Sequence, residues 1–322
     1  MPPDPQSTGL VALAVPRVGL RAGSAAREPI QGRTGVPVLM TVDQPLDLAS
    51  TLLSGQSFRW QRDAEWFEGV VFNNIVRMRQ DVAGIEFTSA PDDESFVRPL
   101  VRDYLALEVD LEGIYASIGA DDRLKAAIAR YRGLRVLRQD PWECLVSFIC
   151  SSASNIPRIS SNIESICAAF GREVRAGDRV RSTFPTPQEL AEAGEERLRR
   201  LGVGYRAPFI ASTARAIADG VPDLMTLREA PYEEALRELT ALDGVGDKVA
   251  NCVLLFSLDK LEAFPVDVWV ERALQEWYLR GADKKLTRSK MRLWARDYFG
   301  PYAGYANQYL FHDRRLQGRR RW

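Results

Sequence analysis

Residues 242–269 read LDGVGDKVANCVLLFSLDKLEAFPVDVW. Gly244 and Gly246 flank Val245 between a helical pattern that fades near Ala241 and another that begins near Asp247. Glycines reach backbone angles closed to other residues and leave backbone N–H groups uncovered. N–H groups at a helix N-terminus suit a phosphate. With YEEALRELTAL as the preceding helix, the spacing predicts a helix–hairpin–helix over 232–258.

Lys248 is electrostatically out of place, because the positive end of a helix dipole disfavours a lysine in the first turn. Val249, Cys252, Val253 and Phe256 share the core face of the predicted helix, and Lys248 sits at its edge, one turn from Cys252. An amine beside an apolar wall is a candidate nucleophile. A solvent-exposed lysine holding a phosphate fits the same position. Asp267 follows Pro265 and precedes VWVERALQEWYL, so its plainest role is the N-cap of that helix. The bonds a cap accepts are expected to keep it ionised. A fixed carboxylate also stabilises positive charge developing on a sugar carbon. A lysine and a carboxylate, without metal or histidine, suit displacement at an acetal-like carbon.

Outward from this stretch the chain divides. Residues 1–39 are rich in Pro, Gly, Ala and Arg without periodicity and are expected to be disordered, with Met40 as an alternative start and residues 2–39 dispensable. The patch LVALAV (10–15) is broken by Pro16 and lacks a basic start, so it makes a poor signal peptide. The arginines of residues 1–39 leave an organelle transit segment open. Within 40–135, LASTLL predicts a helical turn, and SFRWQRD, EWFEGVVFNN, IVRMRQ and GIEFTS predict an antiparallel sheet. From about Pro91 the patterns are helical, and 136–315 reads as a helical core. Residues 316–322 read as a basic tail. The fold class expected is α+β, predominantly α-helical, with one small N-terminal antiparallel sheet.

The 322 residues carry no net charge, so any nucleic-acid affinity must come from local patches. From Lys284 to Trp322 there are eleven Lys or Arg against two Asp, a net of +9, and this face could meet phosphate. The four cysteines form no C-x-x-C pair, which fits a reduced, intracellular protein. The single histidine, His312, reads as a surface residue. One histidine and scattered cysteines argue against a zinc site, an iron–sulfur cluster or a Ser-His-Asp triad. No metal and no cofactor are expected. No apolar run approaches the twenty residues of a membrane span.

The motifs GVGDKVANC and FPVDVW resemble those of the helix–hairpin–helix DNA glycosylases. SGQSFRW (54–60), LRQDPWECLVSFICSS (137–152), LGVGYRA (201–207), YEEA (232–235) and GPYAGYANQYLF (300–311) resemble the 8-oxoguanine DNA glycosylase/AP lyase branch, from about Leu46 to Phe311. The resemblance implies Lys248 as the amine that attacks C1′, expels the base and forms a Schiff base, with β-elimination nicking the strand, and Asp267 as the supporting carboxylate. It implies a base flipped from the stack between Cys252 and Phe311. The Gly55 carbonyl would accept the N7–H that guanine lacks, with Pro265 and Asn307 as further base contacts. It implies DNA contacts at Gly244, Val245, Gly246, Asn155 and Trp269. Tyr205 would be the wedge, with Arg158 and Arg206 reading the orphaned cytosine. The implied partner is damaged double-stranded DNA, met by a monomer in the nucleoid, cytoplasm or nucleus.

Three positions depart from the branch. Ala153 stands in a loop where asparagines are usual, so selectivity for the opposite base is expected to relax. Asn307 replaces a longer glutamine. Trp269 replaces a histidine near the phosphate. Other readings are the same chemistry on another oxidised purine or a formamidopyrimidine, and a non-catalytic helix–hairpin–helix DNA-binding protein.

Overall fold

The structure, a computed structural model, describes residues 29–32, 35–280 and 286–319. In order these form β1 (Ile30–Gly32), β2 (Val38–Thr41), α1 (Leu48–Leu53), β3 (Gln61–Asp63), β4 (Trp66–Val71), β5 (Asn74–Asp81), β6 (Gly84–Ala90) and helices α2 (Glu94–Tyr104), α3 (Leu111–Ile118), α4 (Asp122–Arg130), α5 (Pro141–Cys150) and α6 (Ile156–Phe170). A hairpin, β7 (Glu173–Ala176) and β8 (Arg179–Ser182), then precedes α7 (Pro187–Leu198), α8 (Ala207–Ala218), α9 (Thr226–Glu229), α10 (Tyr232–Thr240), α11 (Asp247–Ser257), α12 (Val268–Trp277), α13 (Arg288–Phe299) and α14 (Ala303–Arg319).

The expected sheet is present, with order β2-β6-β5-β4-β3 and every pair antiparallel. Alternation puts Phe67, Val76, Met78, Ile85 and Phe87 on one face, and Leu48, Leu52, Val97 and Val101 of α1 and α2 cover it. Two strands fall where no structure was expected. Val38–Thr41 lies against β6 with Met40 1% exposed, and Ile30–Gly32 runs parallel to β7. A four-residue alternation is too short to stand out from Pro- and Gly-rich surroundings. Removing residues 2–39 would delete β1 and cut β2, so that segment is not dispensable padding. Residues 1–28 lie outside those described.

A second correction is the sheet β1-β7-β8, which interrupts the run expected to be helical after Pro91. A third concerns the basic tail. α14 continues to Arg319 without a break at residue 315, while residues 320–322 lie outside those described. Among the described residues of the basic C-terminal face, four arginines are paired with carboxylates. Arg288 pairs with Glu271, Arg292 with Asp247, Arg296 with Glu233 and Arg314 with Glu276. No described helix is long and apolar enough to cross a membrane.

The helical core carries the helix–hairpin–helix stretch. α5 starts on Pro141, capped by Asp140, whose carboxylate accepts the Glu143 N–H at 2.8 Å. It packs on α11, where Phe148 and Phe256 stack at 5.5 Å. Between sheet and helices, buried Gln56 bonds to Thr51 O and Arg135 O, both at 2.8 Å, and accepts the Leu137 N–H at 2.9 Å. These bonds pin the Gly55 loop against the helical core.

Candidate active site

Four segments and one helix meet around a cleft of about 720 Å³. They are the Gly55 turn, the loop 151–155, the hairpin with the first turns of α11, the loop into α12, and the inner face of α14. Of the residues picked from sequence, Gly55, Ala153, Asn155, Gly244, Gly246, Lys248, Cys252, Pro265, Asp267, Trp269, Asn307 and Phe311 line it. Arg158, Tyr205, Arg206 and Val245 do not.

Lys248 is half-buried. Its Nζ donates to Ser151 Oγ at 2.8 Å and lies 4.9 Å from the centre of the Phe148 ring. Ser151 Oγ in turn donates to Phe148 O at 2.6 Å, which leaves its lone pair aimed at the amine. The other neighbour is Cys252. Burial pushes that thiol up to about 11, against the pull of the Lys248 charge and hydrogen bond. Cys252 therefore presents a neutral, polarisable wall.

Asp267 caps α12 as its position requires. One oxygen, Oδ1, accepts the N–H groups of Trp269 at 2.9 Å and Val270 at 2.8 Å. Oδ2 is not used in the cap. Burial nevertheless raises the Asp267 pKa above the ordinary carboxylate value, outweighing Val270 N–H, Lys248, Trp269 N–H and Arg288, which pull it down. The cap bonds pull the pKa down as expected, and burial is the stronger influence on it.

The loop that presents Asp267 is held by Asn251, which sequence reasoning missed. This fully buried amide accepts from Tyr232 Oη at 2.7 Å and from Phe264 N at 3.3 Å, and donates to Asp247 O at 2.8 Å. Arg292 joins from α13, donating to Tyr232 Oη at 3.0 Å. α10, α11, α13 and the loop are thus locked together beside Lys248 and Asp267. A fully buried amide on an otherwise apolar helix face was the available signal.

On the opposite wall, Gly55 has φ +88, and a Cβ there would sit 2.7 Å from Ile156 Cδ1 and 3.4 Å from Phe311 Cε1. Both the backbone angle and the space demand glycine. Asn307 is buried, with its amide donated to Pro265 O at 2.8 Å. Gln308, which lies within the motif at 300–311 but was given no role, and Arg315, which lies beyond it, also line the cleft. His312 is not a surface residue. It is 5% exposed, edge-on to Tyr131, and burial followed by the Arg315 charge lowers it to about 4.

The rim is tied down in this structure. Tyr205 is exposed, with its hydroxyl donating to Ser152 O at 3.0 Å. Arg206 is buried and donates to the carbonyls of Ser152, Ala153 and Val203, while Arg158 donates to Gly202 O. Asn155 caps α6 through the Arg158 N–H. Ala153 takes the left-handed backbone, φ +48. In the hairpin, Val245 donates its N–H to Leu242 O and buries its side chain, so it offers packing rather than a donor. Gly246 caps α11 without a side chain, and the first-turn N–H groups stay open to an outside acceptor.

Residues 38–145 match the family described as 8-oxoguanine DNA glycosylase, N-terminal domain, and 146–296 match the HhH-GPD superfamily of base excision DNA repair proteins. An N-glycosylase/DNA lyase of Arabidopsis thaliana is 34% identical over 296 residues, covering 87% of this chain and 81% of that protein. The chain belongs to the 8-oxoguanine DNA glycosylase family. Within it, the N-glycosylase/DNA lyase of Saccharomyces cerevisiae is 33% identical over 310 residues, covering 83% of this glycosylase and 82% of its own length. The Clostridium acetobutylicum 8-oxoguanine glycosylase/lyase, solved with double-stranded DNA containing cytosine opposite 8-oxoguanine, superposes with a TM-score of 0.80. It is 31% identical and covers 85% of this chain and 93% of its own.

Proposed function

We propose that this glycosylase excises 8-oxoguanine from duplex DNA and then nicks the strand, with Lys248 and Asp267 as the reacting pair. The observation that carries the reading is Lys248 Nζ held between Ser151 and Phe148 in the same cleft as the α12-capping Asp267. The base leaves the helix and enters between Cys252 and Phe311. The Lys248 amine attacks C1′ through its lone pair, the C1′–N9 bond breaks with its electrons going to the base, and the proton shed by the attacking nitrogen balances the one the departing base takes up. Asp267 stabilises the positive charge that grows on the sugar. The nitrogen lone pair then expels O4′: the C1′–O4′ bond breaks, the sugar ring opens as O4′ takes a proton, and a Schiff base is left at C1′. Loss of a 2′ proton expels the 3′ phosphate in β-elimination.

Selection of the lesion follows from Gly55. Its carbonyl can accept the N7–H of 8-oxoguanine, whereas guanine would turn a lone pair towards it. The open N–H groups of Gly246 and the first turn of α11 suit a backbone phosphate. Trp269, at the cleft edge, supplies an aromatic surface where a charge is usual. The enzyme acts as a monomer inside the cell and needs no metal. Formamidopyrimidines are a second substrate class, because Asn307 is committed to Pro265 O and reads the base edge only loosely.

Single-turnover cleavage of duplexes with 8-oxoguanine, formamidopyrimidine or guanine opposite cytosine tests this. Fast cleavage of the first, slower cleavage of the second and none of the third are expected. Binding without cleavage of any oxidised purine would favour a non-catalytic DNA-binding protein.

A further inference from the structure

Arg315 places a guanidinium in the wall of the base pocket, one helical turn beyond Phe311. It is 8% exposed and its position is fixed from three sides. Nη2 donates to Leu53 O at 2.8 Å and lies 3.4 Å from His312 Nδ1. The guanidinium carbon lies 5.7 Å from the centre of the Phe311 ring. His312 is held neutral by burial, so its ring nitrogen can accept from the arginine. Nη1 faces Gly55: a Cβ built on that glycine would lie 3.3 Å from it. A charged donor therefore stands beside the Cα of Gly55, the residue whose carbonyl is assigned to N7–H.

The Hoogsteen edge of 8-oxoguanine presents three groups in a row, O6, N7–H and O8. O8 is adjacent to N9 and hence close to the C1′ that Lys248 and Asp267 must reach. O6 lies at the other end. The partners of Arg315 just named lie on the end of α1 (Leu53), the Gly55 turn and α14 (Phe311 and His312), and of these Gly55 and Phe311 line the cleft. Asn307, at the place where an amide would read the base, is turned to Pro265 O.

We propose that Arg315 is a specificity-determining residue, donating from Nη1 to O6 of the flipped base while Gly55 O accepts its N7–H. This rests on the functional reading above. Together the two groups form an acceptor–donor pair that matches 8-oxoguanine. 8-Oxoadenine keeps N7–H and O8 but carries an amino group at position 6, which sets donor against donor. A site built around a hydrogen bond rejects the analogue that cannot make it.

The test compares 8-oxoguanine and 8-oxoadenine, each opposite cytosine and thymine, in single-turnover excision by the native enzyme, Arg315→Met and Arg315→Lys. Methionine fills the space without donors. A charged hydrogen bond lost from the transition state corresponds to about a tenfold or greater fall in rate. Arg315→Met is expected to lose that much on 8-oxoguanine and little on 8-oxoadenine, collapsing the preference, with Arg315→Lys recovering part of it. Thermal unfolding and affinity for an abasic-site duplex should stay near native, which separates base reading from a packing defect. Equal losses on both lesions, or an unchanged ratio, would overturn the assignment. If the native enzyme excises neither lesion, the functional reading itself fails, and this inference with it.

Discussion

Asp267→Asn separates chemistry from architecture. Asparagine caps helices as well as aspartate does, and its amide oxygen can replace the Oδ1 that accepts Trp269 N–H and Val270 N–H. The substitution removes only the charge. Because burial raises the Asp267 pKa in the folded state, the protein binds a proton there more readily than the unfolded chain does. The carboxylate thus costs stability at neutral pH. That cost is present in full above the folded pKa and vanishes as pH falls below the unfolded value. Removing the charge should leave the melting temperature at pH 7 unchanged or raise it. The barrier is another matter. Losing a fixed electrostatic stabiliser of the developing positive charge should cost about 2–4 kcal/mol, or roughly thirty- to a thousandfold in single-turnover rate. The assay pairs single-turnover excision of 8-oxoguanine with thermal unfolding across pH 4–8. An unchanged rate would refute the electrostatic role. A rate loss accompanied by a comparable loss of stability would reduce Asp267 to a helix cap.

Three further outcomes are expected. Asn251→Leu deprives buried Tyr232 Oη and Phe264 N–H of their acceptor, at about 2–4 kcal/mol, and should lower both the melting temperature and the excision rate; a melting temperature within a degree of native would remove Asn251 as the lock on the Asp267 loop. Ala153→Asn fills a left-handed position that asparagine tolerates better than alanine, so the fold should hold while preference for cytosine opposite the lesion sharpens; an unaltered opposite-base profile contradicts the role given to this position. Ser151→Ala removes the hydroxyl that receives Lys248 Nζ and should slow single-turnover excision without weakening affinity for an abasic-site duplex, whereas a native rate would show that the lysine orients itself.

The proposed reacting pair was legible because its constraints are local. A glycine hairpin, a lysine in a first turn and an aspartate before a helix announce themselves within 26 residues. The strands over 61–90 were equally plain, since their alternation is longer than the turns between them. β1 and β7 were not, because a three-residue parallel pairing across 144 positions has no sequence period. Contacts that depend on tertiary approach were also hidden. Ser151 ends α5 and meets Lys248 only because α5 packs on α11. His312 read as a surface residue because a single polar residue among basic ones gives no sign of Tyr131 and Arg315 closing over it. Nor was there a sign in the sequence that Arg206 donates to the carbonyls of Ser152, Ala153 and Val203, contacts that exist only once the 151–155 loop and the 199–206 turn are folded against each other.

The most direct test of the central claim is borohydride trapping on an 8-oxoguanine:cytosine duplex. The native protein should give a covalent protein–DNA adduct, and Lys248→Gln should give none while still binding an abasic-site duplex. An adduct that persists in Lys248→Gln would contradict Lys248 as the nucleophile, and no adduct with the native protein would contradict the Schiff-base mechanism.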